Sequence, residues 1–127
     1  MEDRFSDLKF TIPYPPSLNV YWRNFRGRMV LSSEAKQYKR KVRDLFESDE
    51  RLTPTAANKK RFVGLKIDVY RPRKSGDLDN TLKAILDSLN ENLYEDDRQV
   101  IEIHAARHDD KDNPRVEIGV RYCLETT

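Results

Sequence analysis

Cysteine is nearly missing from this sequence: Cys123 is the only one in 127 residues. A lone thiol excludes an internal disulfide and a cysteine-ligated zinc finger, so a reducing, cytoplasmic location is expected. Histidine is scarce too, with only His104 and His108. No apolar run approaches the roughly 20 residues that cross a bilayer. The opening MEDRFSDLKF is acidic and has no apolar segment, so no secretory leader is expected. Repeats, low-complexity tracts and domain linkers are lacking as well, which predicts one domain over residues 1–127. With 37% apolar and 36% charged residues, the core is modest and the surface highly charged. A small domain of this kind often gains stability as a homodimer.

What is present is an uneven distribution of charge. Between Val20 and Arg43 stand eight bases (Arg23, Arg26, Arg28, Lys36, Lys39, Arg40, Lys41, Arg43) and one acid, Glu34. Lys59 to Lys74 holds seven bases and one acid, whereas Gly76 to Asp112 holds eleven acids and four bases. This split suits a protein that holds a polyanion on one surface and a cation in a carboxylate site. It also suits an ordinary solvated, ion-paired surface.

Hydrophobic periodicity gives the elements. LKFTI (8–12) reads as a strand. Pro13, Pro15 and Pro16 then impose an irregular path, and GRMVLS holds a short strand with Gly27 at a turn. Ser32 or Ser33 caps a helix running to about Asp49, packed through Ala35, Tyr38, Val42, Leu45 and Phe46. Its other faces carry Lys36, Lys39, Arg40 and Arg43. DERLTPTAANKKR reads as a polar loop, and FVGLKIDVY as a half-buried strand. A second helix follows, with Leu78, Leu82, Ile85, Leu86, Leu89 and Leu93 on one stripe. RQVIEIHAARH and RVEIGVRYC read as two last strands, expected to pair as an antiparallel hairpin. The predicted fold class is α+β, two-layer: a mixed sheet with two main helices packed on one face, homodimeric.

Asp77 and Asp79 open the second helix, and Asp96 and Asp97 follow it. Carboxylates are the ligands a hard divalent cation takes, with substrate phosphates and water completing the shell. Asp77 and Asp79 point to one side only if the backbone between them is extended. Asp97 can return to them only if the strand after the helix runs back beside the strand ending at Tyr70. Lys83, one helical turn after Asp79, can pair with it or touch a phosphate. The same spacing also fits plain structural roles: a helix N-cap, an i,i+4 ion pair and turn aspartates.

IPYPPSLNVYWR (12–23), RGRMVLSSEAKQYKRKV (26–42), DLDNTLKAILDSL (77–89) and YEDDRQV (94–100) occur in that order. Together they resemble the RusA family of Holliday junction resolvases, over nearly the whole chain. The resemblance implies a homodimeric, Mg²⁺-dependent endonuclease that nicks a four-way DNA junction in pairs; whether Mn²⁺ substitutes is left open by the residues, since an oxygen-ligand site suits either ion. It places metal-site aspartates at Asp77, Asp79 and Asp97, with Asp96 the other member of the pair, a functional lysine at Lys83, and a supporting asparagine at Asn80. Some members carry a dense basic run before the D-L-D; here Ser75 and Gly76 intervene, with Arg71, Arg73 and Lys74 earlier.

Arg23, Arg26, Arg28, Arg71, Arg73 and Lys74 are the DNA-binding candidates, making phosphate contacts that give affinity without sequence information. Phe25 and Trp22 suit either stacking on bases or packing, and Trp22 fits packing better. His104 and His108 share a strand face but lie too far apart for a metal pair. Two alternatives remain beside junction resolution: a silent branched-DNA-binding protein, and a nuclease for flaps or forks.

Overall fold

The computed structural model describes residues 4–16, 22–72 and 78–123, apart from the side chains of Trp22, Arg23 and Asp79. Ser17 to Tyr21, Arg73, Lys74 and Asp77 therefore lie outside the described residues.

Strand β1 (Leu8–Pro13) leads into a two-stranded hairpin, β2 (Trp22–Phe25) and β3 (Arg28–Leu31). Arg26 and Gly27 link them, with φ of 53° and 76°. Two consecutive left-handed residues are what a tight hairpin turn demands, and glycine supplies one without steric cost. The Pro-rich stretch therefore ends in regular structure that sequence periodicity showed only in part.

Helix α1 (Ser33–Ser48) begins where Ser32 accepts a hydrogen bond from the Ala35 N–H. Ala35, Tyr38, Val42 and Phe46 are buried at helical spacing, and Phe46 meets Phe10 edge-on with ring centroids 5.3 Å apart. The loop read as polar contains a single helical turn, α2 (Ala56–Lys59), capped by Thr55. Its propensity signal is too short to register against the polar composition around it.

Strand β4 (Val63–Arg71) buries Val63, Leu65, Ile67 and Val69 on one face, as its alternation predicts. Helix α3 (Leu78–Leu89) packs Ala84, Ile85 and Leu89 into the same core. Leu93, expected on that helical stripe, lies beyond the helix end; it is fully buried all the same, in the turn that follows. A 3₁₀ turn at Asp97–Gln99 leads into β5 (Val100–Asp109), and β6 (Arg115–Tyr122) completes the fold.

The main sheet has the order β1-β6-β4-β5. β6 runs antiparallel to both β1 and β4, whereas β5 runs parallel to β4. The sheet is thus mixed, and the inward residues of its strands form one core with α1 and α3. This matches the expected α+β class. The expected β5–β6 hairpin does not form, because β4 lies between the two strands. The physical reason is apolar content: Val116, Ile118 and Val120 of β6 are all buried, which suits a central strand. β5 has Val100, Ile101 and Ile103 at its start, but its sequence then turns to the small or charged Ala105, Ala106 and Arg107, so it takes the edge. Cys123 follows β6 directly, and its N–H donates to the Phe62 carbonyl.

Candidate active site

β4, α3 and β5 form a strand–helix–strand unit with parallel strands, so α3 carries the chain back from the end of β4 to its beginning. Asp79 is the second residue of α3, at the end of the sheet where β4 finishes. Asp97 precedes Val100, which pairs with Val63 at the start of β4. The strand after the helix does lie beside β4, but in the same direction. Within one chain, Asp79 and Asp97 therefore stand toward opposite ends of α3. Ten residues of helix, Asp79 to Leu89, rise roughly 15 Å. Oxygens that share one small divalent ion lie about 2.1 Å from it, hence no more than roughly 4 Å apart.

The platform under Asp97 is firmly built. Leu93 and Tyr94 are fully buried, and the Tyr94 hydroxyl donates to the Leu86 carbonyl of α3 at 3.0 Å. Asp96 caps the 3₁₀ turn by accepting from the Arg98 N–H at 2.9 Å. Gln99 closes the reciprocal capping box, its Oε1 accepting from the N–H groups of Glu95 and Asp96. The Gln99 amide donates in turn to the carbonyls of Lys59 and Arg61, each at 2.8 Å. One side chain thus ties the turn to the segment before β4 and fixes where Asp97 emerges.

The two adjacent aspartates differ in consequence. The carboxyl of Asp96 is held below its ordinary value, first by the Arg98 backbone N–H and then by the Arg98 guanidinium, 3.3 Å away. Asp97 is exposed. Burial pushes the Tyr94 phenol up, helped by the charges of Asp97 and Asp87. Lys83 is exposed on α3, one turn beyond Asp79, and Asn80 is half-buried. Among the described residues no cluster of three or more histidine, cysteine or acidic side chains could hold a metal, a set that includes neither Asp77 nor the Asp79 carboxylate.

A sequence model described as Endodeoxyribonuclease RusA matches residues 13–121. The chain belongs to the RusA family. Among its relatives is a crossover junction endodeoxyribonuclease rusA of Enterobacteria phage HK97, 35% identical over 104 residues, which cover 80% of this chain and 83% of the relative. Proteins of the same name from Enterobacteria phage 82 and Escherichia coli K12 are each 30% identical over 112 residues, covering 87% of this chain and 90% of theirs. The RusA match takes in the basic hairpin, α1, and the segments that carry all four aspartates.

The DNA-binding candidates fall into groups. Arg26 and Arg28 are exposed at the hairpin, where the Arg26 guanidinium lies 5.2 Å from the Phe25 ring centre. Phe25 is 58% exposed, so it is not a packing residue of the described fold. Arg71 instead pairs with Asp109 at 2.6 Å and is only 13% exposed. Arg73 and Lys74 lie outside the described residues, as do the side chains of Trp22 and Arg23. His108 bonds Asp68 at 2.9 Å and stacks on Tyr70, and His104 pairs with Glu102. The sequence reading missed the Asn90–Asn92 turn, which forms one wall of a groove whose other wall is the basic side of α1. Its one local signal was the Asn-rich break after a leucine stripe.

Proposed function

We propose that this chain is a Mg²⁺-dependent, structure-selective endodeoxyribonuclease that resolves four-way DNA junctions by paired symmetric nicks. The observation that carries this reading is the RusA match over residues 13–121, with relatives named crossover junction endodeoxyribonuclease across most of their length. We take residues 1–127 as one such domain, acting in the cytoplasm of a bacterium or a prophage host. No helix among the described residues is long and apolar enough to cross a membrane.

Asp77, Asp79 and Asp97 would hold the ion, and carboxylate oxygens suit a hard cation. When bound, the ion supplies an activated water and offsets charge on the leaving oxygen. Lys83 would meet the phosphate that is cut. Asp96 is engaged in its cap, so its role would be to hold the turn that presents Asp97.

The distance along α3 gives the dimer a chemical purpose. A two-fold pairing that brings the start of α3 in one copy to Asp97 of the other would assemble two equal sites from parts that one copy keeps apart. β5 is the sheet edge that supports such a contact, with Ile101 56% and Ile103 41% exposed. Strands paired about a two-fold axis run antiparallel, which sets the beginning of one β5 beside the end of the other. Two sites related by symmetry match a substrate that needs two symmetric cuts.

The test is cleavage of a labelled synthetic four-way junction with Mg²⁺, alongside flap, fork and duplex controls. Wild type should give two nicked linear duplexes from the junction. Asp79→Asn and Asp97→Asn should bind the junction and leave it uncut. Binding without cutting by wild type would favour the silent-binder alternative, and normal cutting by either variant would defeat the site assignment.

A further inference from the structure

α1 carries Lys36, Lys39, Arg40 and Arg43 at i, i+3, i+4 and i+7, a spacing that lines them along one stripe. The adjacent face of the helix is locked into the core by Ala35, Tyr38, Val42 and Phe46, so the stripe flanks that buried face on a rigid rod. It forms one wall of a groove of about 400 Å³, and the Asn90–Asn92 turn forms the other. Glu91 is the one acid in this lining, set in the left-handed region with φ of 71°. Lys39 pairs with Asp87 at 3.5 Å, and Arg43 lies 4.0 Å from Glu47. Neither Lys36 nor Arg40 has an ion-pair partner among the described residues.

We infer that this groove seats the phosphate backbone of a DNA arm and leads it toward Asp97. The inference rests on the nuclease reading above and adds the surface that delivers the substrate. The Asn90–Asn92 wall belongs to the segment that joins α3 to Asp97, and Tyr94 in that segment is fastened to α3 through the Leu86 carbonyl. From Lys36 to Arg43 the stripe rises roughly 10 Å, the length of about three phosphates of one strand.

The open face of the sheet provides the contrast. Its arginines Arg4, Arg115 and Arg121 are each bound to acids: Glu102, Asp110 and Glu117. Cations already neutralised by neighbours release few counterions to a polyanion, whereas Lys36 and Arg40 of the α1 stripe have no such partner among the described residues, and Arg43 only touches Glu47 at 4.0 Å.

Fluorescence anisotropy of the full chain with a labelled junction in EDTA, over a range of salt, reads binding apart from cleavage. The combined Lys36→Gln, Arg40→Gln and Arg43→Gln variant should flatten the plot of log affinity against log salt by roughly 2.7, about 0.9 for each lost phosphate contact. A control with Lys66→Gln and Lys111→Gln, both exposed and outside the groove, should stay within about 0.5 of wild type. Glu91→Gln should tighten binding about two- to five-fold, a gain that misfolding cannot produce. A change in slope below about 1 for the triple variant, with its thermal melt intact, would overturn the inference. So would an unchanged affinity for Glu91→Gln. If the triple variant instead became monomeric in sedimentation at unchanged slope, the groove would be a subunit contact and the inference wrong. A wild type that binds with a steep slope through α1 but never cuts the junction would sink the nuclease reading and leave the groove standing.

Discussion

Subunits carrying Asp79→Asn and subunits carrying Asp97→Asn, each inactive alone, should restore cleavage when paired in one dimer. The reasoning is geometric. Asp79 opens α3 and Asp97 lies at the other end of the strand–helix–strand unit. Helix rise puts about 15 Å of backbone between those levels, more than two short aspartate side chains span to bring their oxygens within roughly 4 Å of one another on one ion. If each site takes its helix-start aspartates from one copy and Asp97 from the other, a mixed dimer has one site with both substitutions and one with neither. Co-expression with two different tags and sequential purification isolates that species. On a labelled four-way junction with Mg²⁺, its first nick should proceed at about half the wild-type rate, since one of two equivalent sites is whole. The second nick should be slow, because the intact site must release and rebind, so singly nicked junctions should accumulate. A mixed dimer as inactive as either parent would refute assembly across the subunits. The cause would then have to be sought in a rearrangement of α3 itself.

Three further outcomes follow from the packing. Ile103→Lys places a charge on an already exposed position of β5, so the fold should survive, while sedimentation should show monomer and junction cleavage should be lost; a cleaving dimer would dismiss β5 as the contact. A Cβ on Gly119 would lie 2.6 Å from the Phe5 carbonyl oxygen, whereas at Gly64 it would meet only side-chain ends, the nearest being Glu102 Oε1 at 3.0 Å. Gly119→Ala should therefore cost about 1–3 kcal/mol in urea unfolding and Gly64→Ala less; the reverse order would contradict the docking of Phe5. The Arg121 guanidinium, then His104 and Arg4, hold the Glu102 carboxyl at about 2 rather than its ordinary 4.5. A depressed carboxyl stabilises the fold above pH 4.5 and ceases to as pH falls toward 2. The urea midpoint of wild type should drop over that window, and Glu102→Gln should flatten this part of the profile; equal profiles would remove Glu102 from the account of acid stability.

The sequence by itself determined which residues turn inward. Ala35, Tyr38, Val42 and Phe46 announce α1 through helical spacing, and Val63, Leu65, Ile67 and Val69 announce β4 through alternation; each set is buried. Such patterns are local, written into a dozen consecutive residues by the geometry of one element. The aspartates and their spacing could likewise be read directly, together with the family they resemble. Only the tertiary structure decided which strand lies beside which. β6 inserts between β1 and β4, and β5 is left at the edge, parallel to β4. That choice depends on how the strands compete for central places and on the return path through α3, and no single segment encodes either. It also sets Asp97 apart from Asp79 and puts the Asn90–Asn92 turn across from the basic side of α1. Periodicity names the face a side chain takes, while its distance from a residue far along the chain emerges only when the whole core has packed.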